Sequence, residues 1–289
     1  MVSTRCQSLP IPRPCRPMIR IETEHGWTLI EHPEHAKLAG RFAARWGNAL
    51  FAAPEPRSDL LTAVTRHDDA WAERDRTPFI TRQGRPSAFS QELVGVYSAF
   101  EEIDLADYLA VRGRAAEGVA ADNPYAAVII SMHTVDLLTT HADLSGLGAA
   151  DRELHRLFIE GQRRRQAELV RALSANPGYA EWASADRLQG AFEFLQACDS
   201  MSLVACSRFP RPIALRHSHP RRDGTRSVVQ CSPLGGDTYR LSPYPLDADE
   251  VELDLPCRHV PGATFASLEE FRARYAAAPV SALKVRIVS

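Results

Sequence analysis

The chain has 289 residues, of which 45% are hydrophobic and 24% charged, as expected for a globular protein of one or two domains. Its 34 basic and 36 acidic residues give a formal net charge of −2, which argues against nucleic-acid or anionic-membrane partners because both require a basic surplus. No uncharged apolar run approaches the roughly 18 residues of a membrane-spanning helix. The six cysteines show no CxxC spacing, and without an export signal we expect reduced thiols in a cytoplasmic protein.

The N-terminal part of the chain divides into an extension and a β-hairpin. Residues 1–17 include four prolines and lack the apolar core of a signal peptide. We expect them to be disordered, or translation to start at Met18 instead. Alternating residues over 18–21 and 27–30, on either side of His25-Gly26, predict a short hairpin.

Helical patterns dominate the chain from Pro33 onwards. Pro33 suits the first turn of a helix that extends to about residue 50. Ser58 is positioned to cap a second helix, which reaches about residue 71. A polar loop with glycine and proline follows over residues 78–90. Further helices are predicted over residues 91–109, 124–141, 150–173 and 185–206.

After residue 212 the pattern changes to short strands. We predict strands over residues 227–231, 238–241, 251–255 and 283–288, and one helix over 268–277 with Ser267 as its cap. The sequence therefore predicts a mainly α fold. A helical domain with a short N-terminal hairpin would span residues 18–212, and a small β-rich subdomain packed on it would span residues 213–289.

The strongest chemical signal is His67-Asp68-Asp69, near the end of a predicted helix. Successive residues of a helix point about 100° apart, but a metal ion beside the helix can bind both the imidazole and the next carboxylate. His35 lies at the start of the preceding helix. Two antiparallel helices joined by a short loop would bring His35 close to His67.

Asp199 and His133 each lie in an otherwise apolar helix. A buried charge is costly unless it is paired or bound to a metal ion. Two or three imidazoles with two carboxylates suit manganese, iron, zinc or cobalt. A single histidine on a helix is more often structural, and an interior aspartate can also bond to arginine or backbone amides. The constellation is therefore more informative than its members.

The order His35, His67-Asp68, Asp199 resembles the HD superfamily of metal-dependent phosphohydrolases. The resemblance implies that these four residues bind one divalent metal ion at the centre of an HD-like helical bundle. It also implies that His133 binds a second metal ion or contacts the substrate. Asp69 is a candidate general base beside the metal ion, with a purely structural role at the helix end as the alternative.

A closer resemblance covers nearly the whole chain from Met18. It is to domain-of-unknown-function family 3891, an uncharacterised bacterial family. The matching segments are residues 27–30, 35–40, 45–47, 67–71, 84–86, 125–127, 131–133 and 199–203. The family often has asparagine where this chain has Asp69. The resemblance implies a shared fold and names no substrate.

Together these observations predict a metal-dependent hydrolase of a small phosphorylated substrate, with a metal-activated water as the nucleophile. The alternatives are a di-iron HD-type oxygenase and a non-catalytic metal-binding or regulatory protein on the same scaffold. A small molecule is the expected partner, and homo-oligomer formation stays open. The predicted metal ligands are His35, His67, Asp68, His133 and Asp199, and the predicted catalytic residues are Asp69 and His133.

Overall fold

The computed structural model of the chain describes residues 18–89, 104–142 and 144–289. The predicted extension over residues 1–17 and the first part of a predicted helix, residues 91–103, lie outside the described residues. Helices make up 48% of the structure and strands 22%. Within the described ranges, none of the helices combines the length and the apolar composition that crossing a membrane requires.

Helices and strands alternate irregularly along the described chain. The helices are α1 His32–Arg45, α2 Arg57–Arg66, α3 Ala72–Asp75, α4 Leu105–Ala120, α5 Pro124–Thr139, α6 Ala149–Ser174, α7 Ala185–Ser207 and α8 Leu268–Ala277. The strands are β1 Met18–Thr23, β2 Gly26–Ile30, β3 Ala88–Phe89, β4 Ile213–Ala214, β5 His219–Pro220, β6 Arg226–Ser227, β7 Gln230–Gly235, β8 Thr238–Ser242, β9 Glu250–Pro261 and β10 Val280–Val288.

The first two helices are shorter than their apolar patterns predict. Helix α1 has proline in its first turn, as predicted, but ends at Arg45 because Trp46 is extended and Gly47 takes a φ of +120°, which favours glycine. Helix α2 already begins at Arg57 after Pro56, so Ser58 lies inside it and forms no cap. The later predicted helices agree with α5, α6, α7 and α8 to within a few residues.

The predicted mainly α, HD-like bundle with a small β-rich C-terminal section is wrong. A curled mixed sheet dominates the architecture. Its strand order in the described chain is β3-β1-β2-β9-β10-β8-β7-β4, so the N-terminal hairpin and the C-terminal strands belong to one sheet. The hairpin itself is confirmed, because β1 and β2 pair antiparallel from Ile19 opposite Ile30 to Thr23 opposite Gly26.

Strand β9 joins the two ends of the chain. Its residues 250–258 pair with β10, and its last residues pair with β2, with Trp27 opposite Val260 and Leu29 opposite Arg258. The sequence predicted a strand over residues 251–255 alone, because Pro256 and the polar residues after it end the alternating pattern. Proline lacks the N–H for a sheet hydrogen bond, yet β9 continues through Pro256 opposite Ala282.

Helices α1 and α7 pack against each other and connect the helical layer to the sheet. The main core combines apolar side chains from α1, α2, α5 and α7 with others from β1 and β7–β10. Phe42 and Leu38 of α1 are fully buried there, as are Leu195 and Val204 of α7. This core fixes the relative positions of the helices that carry the predicted metal ligands.

Candidate metal centre

Five predicted ligands converge in one buried cluster, which we call the central cluster: His35, His67, Asp68, His133 and Asp199. Their ligand atoms form two overlapping groups in which all atoms lie within 4.8 Å of one another. One group contains His35, His67 and Asp68, and the other contains His67, His133 and Asp199. His67 is common to both groups. The structure therefore brings together all five residues predicted from the sequence as metal ligands.

The antiparallel arrangement of α1 and α2 places His35 beside His67, with ring centroids 5.1 Å apart. The two helices approach closely because Gly40 has no side chain. A Cβ atom at Gly40 would lie 2.1 Å from the Thr65 hydroxyl oxygen. Helix α2 ends at Arg66, and Asp68 then has a φ of −119° and a ψ of 15°. This break allows His67 and Asp68 to face the same centre.

The hydrogen bonds of His35 favour a proton on Nδ1. The hydroxyl of Ser202 donates to the backbone carbonyl of Asp199 over 2.8 Å. Its oxygen therefore accepts from His35 Nδ1, which lies 2.9 Å away. A neutral His35 then has a lone pair on Nε2, and this atom lies 3.0 Å from Asp68 Oδ2.

His67 has the same arrangement. Its Nδ1 donates to the backbone carbonyl of Val64 over 2.7 Å. Its Nε2 lies 3.3 Å from Asp199 Oδ1 but has no hydrogen-bond partner of acceptable geometry among the described residues. In the neutral form, the lone pair of Nε2 would face a carboxylate oxygen. Metal-binding histidines commonly donate their second N–H to a backbone carbonyl in this way.

Burial and the two carboxylates set the charges of the three imidazoles. Burial lowers the pKa of His133 to about 3, and it also lowers the pKa of His35. Burial opposes protonation of His67 too, but Asp68 and Asp199 outweigh it and raise the pKa to about 9. Without a metal ion the cluster therefore holds one proton, on His67, between two carboxylates.

Arg112 of α4 is part of the surroundings of Asp68, and sequence reasoning missed it. Its Nη1 donates to Asp68 Oδ1 over 2.6 Å, and its Nε donates to the Tyr108 hydroxyl over 3.1 Å. Burial would raise the pKa of Asp68, but the guanidinium holds it well below its usual range. Both carboxylates of the cluster are ionised, because His67 likewise lowers the pKa of Asp199 against the effect of burial.

Asp199 is the most exposed member of the central cluster. Its side chain is 11% exposed, whereas those of the other four are between 0% and 5% exposed. Asp199 Oδ1 faces His67, and Oδ2 lies 3.8 Å from Nε2 of His133. Among the described residues, the cluster is therefore most open to solvent beside this carboxylate.

Asp69 is not brought into the cluster, although the sequence singled it out as a candidate general base. Its carboxylate accepts from Nε of Arg66 over 2.8 Å, and its side chain is 38% exposed. Neither candidate metal-binding group of the described chain includes it. The structure places Asp69 at the surface, in a local ion pair.

A further buried histidine, His32, was missed. Its Nδ1 lies 3.1 Å from Asp75 Oδ2, and its ring stacks on Trp71 with centroids 4.7 Å apart. The ring also meets His35 edge to face, with centroids 6.3 Å apart. The three-residue spacing of His32 and His35 places both on one face of α1, which is a sequence signal that could have identified it.

In comparisons with known proteins, the family model described as "Protein of unknown function (DUF3891)" matches residues 18–262. This match covers most of the chain, including every residue of the central cluster. Neither the curated proteins nor the solved structures contain a match to the chain. The geometry of the central cluster is therefore the main basis for any functional assignment.

Proposed function

The chain belongs to the DUF3891 family, whose description gives no function, and we propose that it is a metal-dependent hydrolase of a small phosphorylated substrate. His35, His67, Asp68 and Asp199 hold a divalent cation. His133 completes the donor set or contacts the substrate. The order of these residues along the chain resembles that of the HD-type phosphohydrolases, which supports this ligand assignment.

One observation carries the proposal: two imidazole nitrogens face carboxylate oxygens. With Nδ1 of each ring as the donor, to Ser202 and to Val64, each neutral ring directs a lone pair at a carboxylate 3.0 or 3.3 Å away. A lone pair and an anion repel each other unless a cation lies between them. One proton on His67 relieves one of these contacts, whereas a divalent cation bound by both rings relieves both.

The donor set fits a borderline divalent ion. Three imidazoles and two carboxylates suit manganese, iron, cobalt or zinc, and the cluster contains no thiolate. Such an ion lowers the pKa of water and polarises a phosphoryl oxygen. The protein contributes fixed tautomers through Ser202 and Val64, and Arg112 limits the negative charge around Asp68.

A di-iron oxygenase is the second candidate, because Asp199 has one oxygen near His67 and the other near His133. If two ions were bound, a carboxylate whose two oxygens face different imidazoles would be able to hold both. Iron at two atoms per chain, with oxygen consumption, would favour this candidate. One ion per chain, with phosphate release from phosphomonoesters or nucleotides, would favour the hydrolase.

The test begins with the metal content of the full chain, purified without chelator, and of the His67→Ala and Asp68→Ala variants. We expect close to one ion per chain in the parent protein and strong loss in both variants. A panel of small phosphorylated compounds then tests hydrolysis with manganese, iron, cobalt or zinc added. Unchanged metal content and melting temperature in the variants would refute the metal site. Metal-dependent stability without turnover of any substrate would indicate the non-catalytic alternative.

A further inference from the structure

A second polar cluster lies beside the central cluster, and we call it the Asp136 network: Asp136, His141, Gln196, Arg216 and His217. The Asp136 carboxylate accepts from Gln196 Nε2 over 2.6 Å and lies 3.3 Å from His141 Nε2. The amide oxygen of Gln196 accepts from His217 Nε2 over 2.5 Å. The guanidinium of Arg216 is 3.8 Å from Asp136, beyond hydrogen-bond distance.

Two helices connect the network to the central cluster. Asp136 follows His133 by three residues in α5, and Gln196 precedes Asp199 by three residues in α7. Three residues advance a helix by about 4.5 Å and return nearly to the same face. About one helical turn along α5 and α7 therefore separates the network from His133 and Asp199 of the central cluster.

Arg216 differs from the buried arginines around the central cluster. The guanidinium of Arg112 donates to Asp68, and that of Arg74 pairs with Asp107. Arg216 donates no side-chain hydrogen bond to any other residue of the described ranges, and its side chain is 25% exposed. Its N–H groups are therefore available to a ligand. A guanidinium presents a planar pair of donors that matches two oxygens of a phosphate group.

The backbone also positions an imidazole beside this guanidinium. His217 has a φ of +66°, which is uncommon for a residue with a side chain, and it donates to Gln196. The same residue lines a surface cavity of about 470 Å³, together with Ser218, Arg226 and the carboxylates of Asp186 and Glu193. This cavity has the volume of a small-molecule site and borders the network at His217.

We propose that the Asp136 network is the subsite that binds the phosphate group of the substrate, with Arg216 as its ligand. This inference rests on the proposed function and names its substrate-binding residue. Asp136 and Gln196 hold the two imidazoles. The carboxylate of Asp136 is the group that phosphate must compete with for Arg216.

The probe is inorganic phosphate, titrated into the full-length chain by calorimetry with and without added manganese. Arg216→Ala should weaken phosphate binding at least tenfold and leave the affinity for manganese within about twofold. Arg216→Lys keeps the charge but loses the planar pair of donors, so its phosphate affinity should lie between those of the parent and Arg216→Ala proteins. Arg164→Ala is the matched control, because Arg164 is exposed on α6 and should have no effect.

Asp136→Asn distinguishes a binding role from a structural one. Removal of the competing charge should tighten phosphate binding several-fold, whereas a purely structural network predicts weaker binding. The subsite is overturned if the parent and Arg216→Ala proteins bind phosphate with equal affinity. It is also overturned if 10 mM phosphate does not bind to the parent protein with or without manganese. The proposed function fails separately, if manganese does not bind. Phosphate binding that depends on Arg216 without the metal ion would still support the subsite.

Discussion

Replacement of Asp199 with asparagine separates a metal centre from a purely structural polar cluster. The carboxylate lies 3.3 Å from His67 Nε2, 3.8 Å from His133 Nε2 and 3.9 Å from His35 Nδ1, so it is close to all three imidazoles. Asparagine has nearly the same shape and lacks the charge. The two hypotheses predict different effects of this change with and without metal ion.

The charges of the central cluster determine the expected effect on the metal-free protein. Without an ion, Asp68 and Asp199 are balanced by Arg112 and protonated His67, which makes the net charge zero. In Asp199→Asn, His67 loses a carboxylate that raises its pKa and becomes easier to deprotonate. With His67 neutral, the charges of Asp68 and Arg112 still cancel. We therefore expect the metal-free stability to change by only about 1 kcal/mol.

The effect on the metal-bound protein should be much larger. Loss of a group that merely orients a ligand typically weakens metal binding about 10–100-fold, so loss of a direct ligand should cost at least about 100-fold. At an ion concentration 100 times the parent Kd, the parent gains about 2.7 kcal/mol of stability and the variant only about 0.4 kcal/mol. At about 2–4 °C per kcal/mol, the Tm gain falls from about 5–11 °C to about 1–2 °C.

The assay is thermal unfolding of chelated protein with manganese, zinc, iron or cobalt added back. Asp237→Asn is the control, because Asp237 is another mostly buried carboxylate, paired with Arg208 at the end of α7 and outside both ligand groups. Asparagine also tolerates the positive φ of Asp237. An equal metal-induced gain in Asp199→Asn and the parent would refute the assignment. So would no gain in either protein, with a large loss of metal-free stability in the variant.

Three further predictions concern protons and packing. Metal binding at pH 7.5 should release about one proton from His67, whose pKa is about 9, so the affinity for the metal ion falls as the pH drops. Calorimetry in buffers of different ionisation enthalpy measures this proton release, and no release would contradict the prediction. Burial lowers the pKa of His219 to about 4, so on acidification the unfolded chain takes up a proton at this histidine before the folded protein does. The free energy of unfolding should fall by about 3 kcal/mol from pH 6.5 to 4, and urea unfolding of His219→Gln should show little of this pH dependence. Gly40→Ala should cost about 2 kcal/mol by its clash with Thr65, and Thr65→Gly should restore part; equal Tm values would contradict the packing argument.

The central cluster was predictable because its determinants are largely local. His67 and Asp68 are adjacent, and His35 meets them because α1 and α2 are consecutive in the chain and pack against each other. Asp199 and His133 were conspicuous as polar residues within apolar helices. Arg112 had no such signal, since α4 also contains Arg114 and the contact of Arg112 with Asp68 spans 44 residues.

The sheet was not predictable by the same reasoning. Strand β2 pairs with the end of β9, more than 200 residues later, and no local pattern encodes that partnership. The alternation that identified residues 251–255 ends at Pro256, although β9 continues to Pro261. At Pro256 the strand has a neighbour on one side only, because its ladder with β2 begins at Arg258, and a proline is tolerated where one side of a strand is unpaired. The predicted separation of helical body and β-rich section failed for this reason.

The exposures of the two clusters favour different kinds of occupant. The five side chains of the central cluster are 0–11% exposed, and Ser202 and Val64 orient His35 and His67, which suits an ion that remains bound. In the Asp136 network, Asp136, His141 and Arg216 are 22–27% exposed, which suits a ligand that exchanges. A bound divalent ion would leave the central cluster with a net positive charge once His67 is deprotonated. That charge would strengthen anion binding next to it, so phosphate affinity at Arg216 should rise when the metal ion is present.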